Sequence, residues 1–161
     1  MKYAYLLFVA ALGLSIVLPG CNKYPDGPGL SFRSAQSRIA TTWRVKQALR
    51  DGTDITAEFD TEFFEFGDNG EFRRLETDFV VSIPPFSQDT VITVIGSGTW
   101  EFLEENTQIE LFYTYTFYDP YNSSVLYRRE NNERWDIDRL AEGELWLSNE
   151  TTRLRFEFFN E

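Results

Sequence analysis

Alternation of apolar and polar residues dominates the second half of the chain. Within residues 107–118 every second position carries a large apolar side chain, namely Ile109, Leu111, Tyr113, Tyr115 and Phe117. Side chains of a strand point alternately to the two faces of its sheet, so these five residues are predicted to share one face. Residues 152–159 repeat the period. One face there is predicted to carry Leu154, Phe156 and Phe158, and the other Arg153, Arg155 and Glu157.

The two-residue period predicts eight strands in all. They cover residues 41–49, 61–66, 71–79, 90–103, 107–118, 127–140, 144–148 and 152–159. The first strand is expected to place Trp43, Val45 and Gln47 on one face. A short helical turn is predicted before it, within residues 31–40.

The predicted connections are mostly short. Residues 67–70, Gly-Asp-Asn-Gly, are a hairpin signal because Asn-Gly tolerates positive φ. Gly96 and Gly98 predict a bulge or bend inside their strand. Residues 80–89, which contain two adjacent prolines, interrupt the alternation and predict a longer loop.

Eight short-looped strands favour an all-β fold, an antiparallel up-and-down meander that closes into an eight-stranded barrel. Closure removes the exposed sheet edges. A barrel of this size is filled by side chains or holds one small ligand. A flattened sandwich remains the alternative.

The first twenty residues are predicted to be a lipoprotein signal peptide. Residues 3–18 contain no charge and follow Lys2, and this run is shorter than the roughly 20 apolar residues of a membrane span. Residues 18–21, Leu-Pro-Gly-Cys, resemble the bacterial lipobox, which implies that Cys21 becomes the lipidated first residue of the mature protein. Two alternatives remain. One is a secreted protein with an unmodified Cys21, and the other is a protein whose first residues form a membrane helix.

Residues 21–30 are predicted to be a Pro/Gly-rich tether for a domain at residues 31–161. An extended chain of this kind rises about 3.1 Å per residue, so it would lift the domain roughly 20–25 Å from a bilayer.

The chain resembles the lipocalin-like lipoproteins of Bacteroidota in three features. These are the leader, a tryptophan at the start of the first strand and an aromatic-rich last strand. True lipocalins open this strand with Gly-x-Trp, where this chain has Thr-Thr-Trp at 41–43. They stack an arginine of the last strand on the tryptophan, which implies that Arg153 or Arg155 lies on Trp43. The resemblance further implies an acylated, membrane-anchored protein of the cell envelope. The residue after Cys21 is Asn22 and not the Asp that retains some lipoproteins in the inner membrane, which favours the outer membrane.

Composition excludes several kinds of chemistry. The chain has no histidine and one cysteine, so it has no Ser-His-Asp or Cys-His site, no imidazole metal site and no intrachain disulfide. Its formal net charge is −11, which disfavours nucleic acid as a partner because phosphate backbones are repelled. No metal site and no cofactor are expected.

Aromatic side chains on the inward faces are the candidate ligand-lining residues, or else simply the core: Tyr113, Tyr115, Phe117, Trp135, Phe156 and Phe158. Asp136 and Asp138 share a strand face but fit a solvated outer surface better than catalysis. No enzymatic activity is expected.

Two functions therefore stay open besides a less favoured carboxylate enzyme. The first is binding of a small hydrophobic ligand inside the barrel. The second is a non-enzymatic interaction role, in which a packed barrel contacts an envelope protein through an outer aromatic patch of Phe63, Phe112, Trp146 and Phe159.

Overall fold

The computed structural model describes residues 23–25, 33–82, 89–118 and 124–159. Within these residues one short α-helix, α1, spans Ala35–Ile39. Nine strands follow: β1 Thr42–Arg50, β2 Thr53–Asp54, β3 Glu62–Phe66, β4 Glu71–Ser82, β5 Asp89–Leu103, β6 Gln108–Tyr118, β7 Val125–Ala141, β8 Glu144–Ser148 and β9 Thr152–Phe158. A single-turn 3-10 helix lies at Thr56–Phe59, and a turn at Glu104–Asn106 has all three residues at positive φ.

The strands form a closed eight-stranded antiparallel barrel. Their order is β1-β3-β4-β5-β6-β7-β8-β9, and β9 pairs back onto β1. The two-residue strand β2 adds a hairpin to the end of β1 and lies outside the barrel ring. The predicted barrel is therefore confirmed, and the alternative of a flattened sandwich is not found. Among the described strands, β2 is the one that the alternation did not predict.

Alternation correctly assigns the faces of the regular strands. On β6 Ile109, Leu111 and Tyr113 are buried, while Phe112 between them is half exposed. On β9 the buried pair is Leu154 and Phe156. Apolar side chains of this size each stabilise the fold by about 1.5–3 kcal/mol when they leave water, which holds the strands in this register.

The face predicted for β1 is wrong beyond its middle. The pairing of β1 with β9 shifts register between Val45 and Gln47. Trp43 and Val45 are buried as predicted, but the next buried residue is Ala48, and Gln47 is only partly covered. A bulge inserts one extra residue and so reverses the alternation that follows it.

Gly96 and Gly98 do not mark a bulge. The pairing of β5 with β6 is regular from Ile95 to Leu103, with both glycines inside it. Close packing requires them instead: a Cβ on Gly98 would lie 1.9 Å from the Phe112 carbonyl oxygen. A Cβ on Gly96 would lie 2.8 Å from the Tyr113 ring.

The predicted long loop at residues 80–89 is also shorter than expected. The ladder between β4 and β5 continues to the pair Ser82 and Asp89, so only residues 83–88 separate the two strands. The hairpin at Gly67–Gly70 matches its prediction, with Gly70 at φ 84°.

α1 covers one end of the barrel, which we call the closed end. The Ser34 hydroxyl caps the helix by accepting a hydrogen bond from the Ser37 amide at 3.1 Å. Ile39 at its end is fully buried, and its carbonyl accepts a hydrogen bond of 2.9 Å from the indole of Trp43. Arg38 donates to the Leu140 carbonyl, which ties the helix to the end of β7.

The closed half of the barrel is filled by aromatic side chains that pack edge-on or tilted against one another. Phe66 contacts Trp100 edge-on at 5.7 Å between ring centroids and Phe72 at 5.2 Å, and Phe72 in turn contacts Tyr113 at 5.2 Å. Edge and tilted contacts of this kind are favourable and leave little space. Any site inside the barrel must therefore lie toward the other end.

Tyr24 lies within the segment predicted to be a tether, yet it packs against the core. Its side chain is 2% exposed, and the Arg38 guanidinium lies 5.9 Å from its ring centroid. Burial raises the pKa of this phenol. The predicted tether thus differs at this position, because a large aromatic ring gains more from the apolar surface of the closed end than from solvent.

Candidate functional site

An arginine lies inside the barrel toward the end opposite α1, which we call the open end. Arg74 is on β4, two residues after the inward-pointing Phe72 and therefore on the same face, and it pairs with Phe64 of β3. Its Nε donates to Glu62 Oε2 at 2.7 Å, and its Nη2 lies 2.6 Å from the same oxygen. The side chains of Arg74 and Glu62 are 16% and 7% exposed. The two form a buried ion pair between neighbouring strands.

Aromatic rings surround the Arg74 guanidinium. Its central carbon lies 4.9 Å from the ring centroid of Phe64 and 6.0 Å from those of Phe59 and Tyr115. Such contacts between a cation and ring faces are favourable, most of all when water is absent. They hold the guanidinium in one orientation.

Glu133 on β7 completes the network on the solvent side. It accepts hydrogen bonds from the Tyr113 hydroxyl and, at 3.1 Å, from the indole of Trp135. Arg74 Nη1 donates to the same Tyr113 hydroxyl at 3.0 Å and lies 3.5 Å from Glu133. The Glu133 side chain is 28% exposed, so it is the carboxylate of this network that is accessible from outside.

Burial sets the protonation behaviour of the network. It raises the pKa of Glu62 above the ordinary value of 4.5, and Arg74 opposes this rise. It also raises the pKa of Tyr113 and Tyr115, so both phenols are neutral at physiological pH. Burial by itself would lower the pKa of Arg74, but Glu62 above all outweighs it, and the pKa is raised overall.

The raised pKa of Glu62 has a defined effect on stability. The folded protein holds this proton more tightly than the unfolded chain does. The resulting contribution to stability is therefore fully present below about pH 4.5 and is lost as the pH rises through the folded-state pKa.

A cleft of about 420 Å³ opens beside this network. Its apolar lining residues are Phe59, Phe64, Trp135 and Leu154. Its polar lining residues are Arg50, Arg74, Asn132, Glu133, Arg134, Asn149 and Thr152. The cleft thus combines ring surfaces with a charged wall, and its volume lies in the range of small-molecule sites, roughly 300–1,000 Å³.

The six predicted ligand-lining aromatics have different positions. Trp135 lines the cleft, and Tyr113 and Tyr115 contact Arg74 beneath it. Phe117 lies farther out, 6.1 Å from the Tyr115 ring. Phe156 packs against Phe64 at 5.1 Å within the core, and Phe158 lies at the closed end. The open-end residues belong to the candidate site and the last two to the packing.

Trp43 has a different partner from the one that the resemblance implied. Its ring contacts Phe158 at 4.7 Å. Arg153 and Arg155 are both exposed on the opposite face of β9, and the Arg155 guanidinium lies 4.3 Å from the Trp146 ring centroid on the outside. Inward and outward positions alternate strictly along β9, so neither arginine can reach Trp43, and this prediction is corrected.

The four residues predicted to form an outer patch lie in three different places. Phe63 and Phe159 contact each other in a tilted arrangement, with 4.5 Å between ring centroids. Trp146 lies beneath the guanidinium groups of Arg155 and Arg139, the latter 5.3 Å away. Phe112 lies half exposed on β6. They do not make one continuous apolar surface.

Asp136 and Asp138, the two carboxylates that the sequence analysis weighed for catalysis, each accept a hydrogen bond from a neighbouring side chain. Asp136 accepts a hydrogen bond of 2.8 Å from Gln108, and Asp138 accepts one of 3.0 Å from Ser148. Among the residues that the structure describes, no three acidic or sulfur side chains converge in a way that could hold a metal ion.

A second hollow, of about 360 Å³, lies on the outside between two turns. Asn149, which lines it, accepts hydrogen bonds from the amides of Thr151 and Thr152 at 3.2 and 2.9 Å. This side chain therefore shapes the turn.

The sequence contained a signal for Arg74 and Glu62 that the alternation argument did not use. Glu62 has the same parity as Phe64 and Phe66 in β3, and Arg74 the same parity as Phe72 in β4. A charged residue that shares its face with buried aromatic residues is a candidate for burial, and a buried charge needs a partner. Two such residues of opposite charge on adjacent strands predict a buried ion pair.

Cys21 and the leader at residues 1–20 lie outside the described residues, so lipidation stays a prediction. Within the described part of the chain, none of the helices has the length and apolar character needed to cross a membrane.

Comparisons with known proteins give limited similarity. No protein-family model matches the sequence, and no curated protein matches it. A crystal structure of a lipocalin-like protein from Bacteroides uniformis is 18% identical with a TM-score of 0.48, covering 76% of this chain and 99% of that one. A crystal structure of an uncharacterized protein from Bacteroides eggerthii is 12% identical with a TM-score of 0.44, covering 75% and 99%. The identification of the fold as a closed barrel therefore rests on the strand pairing within this chain.

Proposed function

We propose that the chain is a lipid-anchored protein of the cell envelope whose barrel binds a small amphipathic ligand at its open end. The cleft carries the ligand-binding half of this proposal. It is about 420 Å³ in volume and is lined by rings on one side and charged groups on the other. An apolar body would lie on Phe59, Phe64 and Trp135, with a polar group toward Glu133 and Arg74.

The anchoring half rests on the Leu-Pro-Gly-Cys sequence at residues 18–21. An acylated Cys21 would carry more than one chain, which is what stable membrane attachment requires.

The position of Tyr24 supports a particular orientation of the anchored barrel. Tyr24 packs beside α1 at the closed end. Only three residues of chain lead from Cys21 to Tyr24, and an extended chain spans at most about 3.3–3.6 Å per residue. The closed end then lies within roughly 10 Å of the lipid surface, and the cleft faces away from it.

Ligand binding is tested by native mass spectrometry and solvent extraction of residues 22–161. This segment contains the whole barrel and all of the described core, and cooperative urea unfolding checks that it folds. The blocking variant is Thr152→Trp at the rim of the cleft, and the matched control is Thr99→Trp on the exposed outer face of β5.

We expect a co-purifying small molecule in the wild type and in Thr99→Trp, and its loss in Thr152→Trp. The neutral dye N-phenyl-1-naphthylamine serves as a second probe with the same expected pattern. Absence of any retained molecule, together with equal dye binding in the two variants, would overturn the proposed binding function.

Anchoring is tested separately with the full chain in a lipoprotein-processing bacterial host. Labelled palmitate is expected on the wild type and not on Cys21→Ser. The wild type should fractionate with membranes, and Cys21→Ser should remain an unprocessed precursor. Equal labelling of both proteins, or labelling of neither, would contradict the anchor.

A further inference from the structure

The charged groups at the open end differ in how many of their hydrogen bonds and ion pairs are already made within the protein, and this difference bears on the charge of the ligand. Arg74 directs Nε and Nη2 at Glu62 and Nη1 at the Tyr113 hydroxyl and Glu133. Its faces are covered by the rings of Phe64, Phe59 and Tyr115. A guanidinium engaged in this way offers little to an incoming anion, because an anion would have to displace existing charge-assisted hydrogen bonds.

The other two arginines of the cleft are also paired. The lining arginines are Arg50, Arg74 and Arg134. Their carboxylate partners, at N–O distances of 3.2, 2.6 and 3.1 Å, are Glu58, Glu62 and Glu110. These three carboxylates lie outside the cleft lining, whereas Glu133 is the one carboxylate within it. Each lining arginine is thus already neutralised by a partner, and the seven charged groups together carry a formal charge of −1.

Glu133 retains capacity to accept a ligand's hydrogen bonds. It accepts from Tyr113 and Trp135, whereas the two oxygens of a carboxylate offer about four acceptor positions. Its partial exposure makes the remaining positions accessible from the cleft, unlike those of the buried Glu62.

Ring surfaces lie next to this carboxylate. Trp135 donates to Glu133 and lines the cleft together with Phe59 and Phe64. A carboxylate beside aromatic faces is the chemistry that binds organic ammonium groups. The net charge of −11 favours the approach of cations as well.

We infer that the cleft selects an organic cation, with an ammonium group on Glu133 and an apolar body against Trp135, Phe59 and Phe64. This inference rests on the proposed ligand-binding function and adds the chemical class of the ligand to it.

Three probes with the same apolar body and different charge test the selection: phenethylamine, 2-phenylethanol and 3-phenylpropionate. Binding to residues 22–161 is followed by the indole N–H signal of Trp135 in proton–nitrogen NMR spectra. The fully buried Trp43 at the closed end is the internal control. We expect phenethylamine to shift the Trp135 signal and to bind at least about tenfold more tightly than 3-phenylpropionate.

Glu133→Gln removes the charge while retaining the shape of the side chain. It should weaken phenethylamine binding by about tenfold and leave 2-phenylethanol binding unchanged. Glu130→Gln is the matched control, since Glu130 is an exposed residue of the same strand outside the cleft lining, and it should bind phenethylamine as the wild type does.

Other outcomes overturn the inference in distinguishable ways. Tighter binding of 3-phenylpropionate would make Arg74 the receptor of an anion. Equal binding of all three probes would leave an apolar cleft without charge selection. In both cases the proposed binding function stands. No shift of Trp135 with any probe also overturns the inference, and the retained-ligand experiment then decides the proposed function independently.

Discussion

Replacing Arg74 by methionine is predicted to destabilise the barrel severely. The substitution retains much of the side-chain volume but leaves the carboxylate of Glu62, which is 7% exposed, without its partner. Removal of one partner from a buried ion pair costs about 3–5 kcal/mol. The contact with the Phe64 ring, at 4.9 Å, is lost as well. We expect the free energy of unfolding at pH 7 to fall by about 3–4 kcal/mol, a large share of the roughly 5–15 kcal/mol of an ordinary domain.

The adjacent residue supplies the control. Arg73 points outward, and its ion pair with Glu65, at 3.1 Å, joins two side chains that are 47% and 42% exposed. Exposed pairs contribute about 0–1 kcal/mol, so Arg73→Met should cost less than about 1 kcal/mol. Both variants are measured by urea unfolding followed through tryptophan fluorescence.

A double variant tests the cause. Arg74→Met combined with Glu62→Leu removes both charges, and replacing a buried pair by apolar residues is often neutral. We expect stability within about 1 kcal/mol of the wild type, and hence a coupling energy of at least about 2 kcal/mol. The reasoning is refuted if Arg74→Met costs no more than Arg73→Met, or if the costs of the two single substitutions simply add.

Three further substitutions test separate features. Because burial raises the pKa of Glu62, Glu62→Gln should gain stability relative to the wild type as the pH rises above about 4.5. Urea midpoints of the two proteins between pH 4 and 7 measure this gain, and curves that stay parallel would contradict the raised pKa of Glu62. Gly98→Ala places a Cβ 1.9 Å from the Phe112 carbonyl oxygen and should lower the free energy of unfolding by about 2 kcal/mol or more. An unchanged urea midpoint would contradict this, because it would mean that β5 and β6 move apart with no loss of stability. Glu105→Gly removes the backbone strain of a non-glycine residue at φ 56° and should raise the free energy of unfolding by about 0.5–1 kcal/mol, and with it the melting temperature. A lower melting temperature would contradict this.

The sequence by itself determined the class of fold and the face of most strands. Every second residue of β6 and β9 is apolar, and alternation between two faces is a local property of an extended backbone, so Ile109, Leu111 and Phe156 were assigned correctly. The absence of histidine and the presence of one cysteine likewise excluded whole kinds of catalytic site without any structure.

Local pattern does not determine register or bulges. The bulge near Lys46 reverses the later part of β1, so Ala48 rather than Gln47 faces the core. Gly98 is required by the approach of the neighbouring strand β6, which no pattern within β5 reveals. Tyr24 packs on the closed end because the barrel offers it a surface there.

Only the tertiary structure decided the candidate site. Glu62 and Arg74 lie on the consecutive strands β3 and β4, but Glu133 comes from β7, far from them in sequence, and closure of the barrel brings Arg74 and Glu133 to the same Tyr113 hydroxyl. Their charges stabilise one another only at hydrogen-bond distance and out of water. That distance depends on the stagger and closure of eight strands together, whereas the alternation that predicts each strand depends only on its own backbone.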